Sequence, residues 1–160
     1  MTNTDPTSNN IAFRVAERGD LPAVVRLLAD DGLGKGRECP ADPLPRAYGE
    51  AFDRMAAQPG NVCLLAEIDE TVVGCLQLTV IHGLSRTGMS RAQIEGVRVA
   101  GSHRGLGIGE SLFREAVDRA RAVGCGLVQL TTDKARPDAL RFYEKLGFTA
   151  SHEGMKLNLR

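Results

Sequence analysis

Apolar and polar positions alternate from Ile11 to Ala16, which predicts a first strand. The period then lengthens. Val24, Val25, Leu27 and Leu28 supply one apolar face up to Asp31, a helix opened by Gly19-Asp20-Leu21-Pro22 with Asp20 as cap and Pro22 in the first turn. Three glycines from Gly32 to Gly36 and three prolines from Pro40 to Pro45 make residues 32–46 a loop. A second helix follows from about Leu44 to Gln58 and stops at Pro59-Gly60. Val62–Ile68 and Val72–Ile81 form a hairpin around Asp69-Glu70, residues 82–90 return to loop, and Ala92–Val99 alternates as another strand. Ile108, Leu112, Ala116 and Ala120 then fall at i, i+4 spacing, with Glu110–Arg114 and Glu115–Arg119 pairs on a solvated face, until Gly124 and Gly126 end the helix. Leu127–Thr132 reads as a short buried strand, Pro137 to Gly147 as a last helix, and Phe148–Leu159 as a final strand or hairpin.

The order β-α-α-β-β-β-α-β-α-β(β) predicts an α/β (α+β) domain around a mixed sheet, without internal repeats. Its 160 residues suffice for one domain, with Met1–Asn10 as a polar, disordered lead-in and 11–160 as the single folded unit. Twenty basic residues balance twenty acidic ones, and there is no Trp, so neither a nucleic acid nor an anionic membrane is the expected partner. No run of residues has the makings of a signal peptide or a membrane span, which makes the cytoplasm the expected location. Cys39, Cys63, Cys75 and Cys125 lack metal or C-x-x-C spacing and read as buried free thiols. His82, His103 and His152 show no metal-ligand spacing either, so no metal is expected.

Candidate chemistry concentrates in Val97-Arg98-Val99-Ala100-Gly101-Ser102-His103-Arg104-Gly105-Leu106-Gly107-Ile108-Gly109. A strand ends, a polar turn follows, and a glycine-rich arc opens directly into a helix. Backbone N–H groups gather there with few side chains in the way, an arrangement suited to phosphate oxygens. The dinucleotide fingerprint fails in register, because its third glycine falls on Glu110 or Leu112. A Walker A loop would need Gly-Lys-Ser/Thr where Gly109-Glu110-Ser111 stands, and a kinase glycine loop would join two strands.

Arg104-Gly105-Leu106-Gly107-Ile108-Gly109 resembles the Arg/Gln-x-x-Gly-x-Gly/Ala signature of the GNAT superfamily of N-acetyltransferases. Further on, Ala139-Leu140-Arg141-Phe142-Tyr143-Glu144-Lys145-Leu146-Gly147-Phe148 resembles that superfamily's Ala-x-x-x-Tyr-x-x-x-Gly-Phe helix. The motif resemblance spans about Ala92 to Thr149, and it implies a central, mostly antiparallel mixed sheet flanked by helices.

The resemblance further implies acetyl-CoA as cosubstrate. The pyrophosphate would lie on Arg104, Gly105, Leu106, Gly107, Ile108 and Gly109, and the pantetheine arm along Val97, Arg98 and Val99. Backbone groups of Val97 and Val99 would pair with the pantetheine amides as an added strand does. An N–H near Val97 would polarise the thioester carbonyl. Tyr143 would donate to the coenzyme A sulfur. Glu95 would take the proton of the attacking ammonium, although alternation leaves its direction open because a bulge would flip it. Many members carry Asn three residues before the motif's Ala, where this chain has Arg136.

The function so implied is acetyl transfer to a primary amine by direct attack in a ternary complex. The acceptor would enter over residues 32–46 and 82–91, and a small-molecule amine, an amino acid and a protein amine all stay open. The alternative is a non-catalytic acyl-CoA-binding sensor or regulatory module. A homodimer through the hairpin or the final strand is a further expectation that the sequence does not decide.

Overall fold

The structure, a computed structural model, describes residues 10–32 and 34–159. Apart from Asn10, the expected disordered lead-in lies outside the described residues. Five strands form one sheet in the order β1 (Ala12–Val15), β2 (Asn61–Ile68), β3 (Thr71–Ile81), β4 (Arg91–Val99) and β5 (Leu127–Leu130). Neighbours from β1 to β4 run antiparallel, and β5 lies parallel to β4, so the sheet is mixed and mostly antiparallel. The β2–β3 hairpin turns through Asp69 and Glu70, both at positive φ as a two-residue turn of this hand requires. Residues 82–90 contain one tight turn, Ser85–Gly88, with Arg86 and Thr87 also in the left-handed region.

Helix α1 (Leu21–Ala29) and helix α2 (Arg46–Ala56) precede the hairpin; α3 (Ile108–Ala122) and α4 (Pro137–Lys145) follow β4 and β5. Asp20 does occupy the α1 cap position, but its carboxylate does not cap the helix. It accepts instead from the Glu17 N–H at 2.7 Å and from the Arg14 guanidinium at 2.7 and 2.8 Å. Arg14 also reaches Glu67 at 2.6 Å, tying β1 to β2, and its hydrogen bonds hold the Asp20 carboxyl below its ordinary range.

The sheet separates two unequal apolar layers. Leu64, Leu76, Leu78 and Ile94 point toward α3 and meet Ile108, Leu112, Phe113 and Ala116. On the opposite face Leu65 and Cys75 meet Val24 and Leu27 of α1. At the far end, α4 starts on Pro137 and closes on Gly147 at φ +90, the punctuation its sequence contains.

Three expectations need correction. The chain after Phe148 forms no strand among the described residues: 149–159 runs outside the sheet, with Met155, Leu157 and Leu159 at 92%, 86% and 89% exposure. Alternation alone does not make a strand: no ladder joins these residues to β5, although its outer edge is open. The strand at 127–130 is half-buried along its length instead of fully buried, since it is an edge strand. Of the four free cysteines only Cys75 is buried, and Cys39 is exposed on the proline-rich loop.

Candidate functional site

β4 is longer than the neighbour that covers it. β5 pairs with Arg91 to Ile94 and goes no further, while β4 continues to Val99. Residues 95–99 therefore present one backbone edge that no strand occupies, in the gap where the two parallel strands part. Along this edge a ligand can bond as a strand would.

A bulge shapes the same segment. Cys75 faces Arg98 and Gln77 faces Glu95, so Leu76 on β3 is opposed by both Gly96 and Val97. Gly96 has φ +61, which a side chain would strain. The bulge reverses the alternation beyond it: Val97 and Val99 pack with the α3-side core, and Arg98 takes the α1 side. Glu95 lies before the bulge. It is the direct neighbour of Gln77, between Ile94 and the bulge, and so shares the α1–α2 face with Gln77 and Cys63. It is exposed.

Two arginines tend the open edge. Arg98 donates to the Val97 carbonyl at 2.8 Å, and Arg104 donates to the Val99 carbonyl at 3.2 Å. Arg98 also pairs with Asp31 at 3.0 Å, both side chains being largely buried. Arg104 reaches back to the Asp30 carbonyl oxygen at 2.6 Å, while the Asp30 carboxylate accepts from the Gly101 N–H at 2.8 Å. Asp30 and Asp31 were not signalled by the sequence as site residues, because an acidic pair after a helix has many unrelated uses. Their contacts with Arg98, Gly101 and Arg104 are long-range.

The arc follows at once. Gly105 and Gly107 have φ +78 and +77, and a Cβ at either would meet no atom within 4 Å. Both positions therefore need glycine for the turn, and both leave the backbone open to approach. Gly107 is the α3 cap, and no side chain caps this helix. Its first capping bond runs from the Ser111 N–H to the Gly107 carbonyl at 3.0 Å, leaving the preceding N–H groups aimed outward. Such a terminus suits an anion. Gly109 differs. It has no positive φ, and a Cβ there would touch Val99 and Phe142 at an ordinary 3.6 Å. Leu106 is 54% exposed on the rim, and Ile108 is buried beneath it as an anchor.

Tyr143 closes the third side. Its ring packs on Phe113, Phe142 and Phe148, with centroids 5.4, 5.5 and 6.2 Å away. Among the described residues its hydroxyl has no hydrogen-bond partner. Burial pushes the phenol above its ordinary value against the opposing pull of Arg136 and Arg98, so it remains a proton donor through neutral pH. Arg136 is the α4 cap residue and stands 3.9 Å from the Asp31 carboxylate. The position expected to carry Asn thus holds a cation that joins the Arg98–Asp31 pair across the gap.

The structure brings together Val97, Arg98, Val99, Arg104, the arc and Tyr143 around one opening, with Glu95 on the α1–α2 face of the same strand. His82, His103 and His152 are each occupied with a neighbouring serine hydroxyl at 2.8 Å.

Known proteins share this arrangement. The acetyltransferase (GNAT) family profile matches residues 24–148. A solved structure from Bacillus halodurans, described as a transcriptional regulator, is 49% identical with a TM-score of 0.90, over 93% of this chain and 99% of that one. Glucosamine 6-phosphate N-acetyltransferase of Trypanosoma brucei brucei is 31% identical over 94% of this chain and 97% of its own length. The N-alpha-acetyltransferase RimI of Mycobacterium tuberculosis is 35% identical over 67% of this chain and 62% of its own. With the open strand edge, the uncapped glycine turn and the tyrosine helix all inside the matched span, the chain belongs to the acetyltransferase (GNAT) family.

Proposed function

We propose that this acyltransferase moves an acetyl group from acetyl-CoA to the primary amine of a small molecule, by direct attack with both substrates bound. The observation that carries the reading is the unpaired edge of β4 at 95–99, lying between the uncapped N-terminus of α3 and the Tyr143 ring. When bound, acetyl-CoA supplies an electrophilic carbonyl and a thiolate leaving group, so a C–N bond forms as the C–S bond breaks.

The chain's own residues supply the rest. Gly105 to Gly109 hold the pyrophosphate by backbone N–H groups. Val97 and Val99 bond the pantetheine amides once Arg98 and Arg104 release their carbonyls, and each freed guanidinium is then a cation beside an anionic ligand. Tyr143 Oη gives its proton to the departing sulfur. Glu95 takes the proton from the ammonium, directly or through a water at Gln77. An alkyl ammonium has a reference pKa of about 10.4, so a base is useful at neutral pH. We place the reaction in the cytoplasm, a compartment that holds acetyl-CoA.

The regulatory description of the Bacillus halodurans relative is not taken over. The exposed face of α3 pairs its arginines with Glu110, Glu115 and Asp118, which leaves no basic stripe for phosphates of DNA. Calorimetry with coenzyme A, followed by thiol release from acetyl-CoA over a panel of amines, tests the proposal. Saturable binding and amine-dependent release are expected. Tight binding without release for any amine would turn the reading toward the sensor.

A further inference from the structure

Between α1, α2 and the β2–β4 face lies a cavity of about 340 Å³. Val24 and Leu28 line it from α1, Phe52 and Met55 from α2, and Cys63 and Gly96 from the sheet. Its floor is therefore the same bulge that carries the open edge of β4. No residue of α2 is fully buried, although Tyr48, Phe52 and Met55 form an apolar stripe turned toward the sheet. That stripe faces the void in place of a packed neighbour.

The polar groups at the cavity are few and placed at its ends. Glu17 lies at one side and Gln77, with Glu95 beside it on β4, at the bulge. The Tyr48 hydroxyl donates to Glu38 at 2.8 Å and accepts from the Cys39 N–H at 2.9 Å, which fastens the proline-rich loop to the cavity wall. An apolar body with a cationic end is the ligand such a lining complements, and the volume is that of a small-molecule site.

We infer that this cavity is the acceptor pocket and that the acceptor is a small primary amine with an apolar body, of the arylalkylamine or branched alkylamine class, its nitrogen at the bulge and its body between α1 and α2. This rests on the acyltransferase reading above, and the reaction is the one already written.

The test uses 2-phenylethylamine and glucosamine 6-phosphate, with two readouts. Saturation-transfer NMR in the presence of coenzyme A reports binding, and thiol release reports turnover. The expected result is saturation transfer to 2-phenylethylamine and a kcat/KM at least about tenfold above that for glucosamine 6-phosphate. Ala51→Trp, which fills the cavity from α2, should abolish the transfer while the coenzyme A Kd stays within about twofold. Met55→Trp, which fills the same cavity from the next turn of α2, replaces it if the first variant does not fold. Turnover with glucosamine 6-phosphate alone, or saturation transfer that persists in the filled variant, overturns the pocket and leaves the acyltransferase standing. Binding of 2-phenylethylamine that the filled variant loses, without thiol release from any amine, upholds the pocket and fails the acyltransferase reading.

Discussion

On the α3–α4 side of the sheet, twelve buried residues interlock around Phe113, whose ring lies 5.4 to 5.9 Å from those of Tyr143, Phe142 and Phe148. On the α1–α2 side, a smaller cluster around Leu65 and Cys75 shares the face with a cavity of about 340 Å³ and a helix with no fully buried residue. Interiors are normally packed like crystals, so this face gives up packing where the cavity lies. The difference assigns separate duties. Under the proposed function, one face would lend rigidity to the glycine turn and Tyr143, the groups assigned to the cofactor, and the other forgoes packing where the amine is proposed to sit.

Substitutions on each face would break or sharpen that contrast. Phe113→Ala should have the largest effect, about 3–5 kcal/mol in a urea melt, because the cavity it leaves is ringed by residues that cannot collapse together. The thermal midpoint would fall by about 10 °C in a domain of this size. Next comes Tyr143→Phe, expected to lower kcat about 10- to 100-fold with the melting temperature unchanged, since the ring packs and the hydroxyl has no partner to lose. A full rate in this variant removes the hydroxyl from the chemistry.

Gly107→Ala should follow, at about 1 kcal/mol of backbone strain together with weaker coenzyme A binding by calorimetry. Gly109→Ala, two residues on, should show little of that strain, as its Cβ finds ordinary contacts. Phe52→Ala on the loose face should cost no more than about 1 kcal/mol despite removing an aromatic ring; a loss as large as that of Phe113→Ala would mean the two faces are equally packed. The smallest change is in the pH profile. Tyr143 donates only while protonated, and its pKa is raised above 10, so the alkaline fall in kcat should lie above that pH. Arg136→Gln removes a cation that lowers this pKa and should move the fall upward.

Some of this was legible from the chain alone. The arc and the Tyr143 helix are marked by glycines and a proline whose conformational demands are local, and both appear where expected. Other parts were not legible, because they depend on distant partners. Which face Val97, Arg98 and Val99 take depends on a bulge opposite Leu76, on another strand. Met155, Leu157 and Leu159 have the period of a strand, yet a strand needs an edge to bond, which no local pattern supplies. The contacts of Arg98 with Asp31, and of Gly101 and Arg104 with Asp30, arise only once the end of α1 is brought against β4. The cavity, an absence of packing, leaves no mark on the sequence of α2, which reads as an ordinary amphipathic helix.

Asp30 has a thermodynamic consequence. It ends α1, one wall of the cavity, and it also holds the Gly101 N–H and Arg104 at the threshold of the glycine turn. The two ligands thus lean on a common post. Whatever factor coenzyme A applies to the affinity of the amine through this post, the amine must return to coenzyme A in equal measure. Asp30→Asn would alter that coupling factor, by the same amount whichever ligand's affinity is measured, without any residue of either proposed pocket being touched.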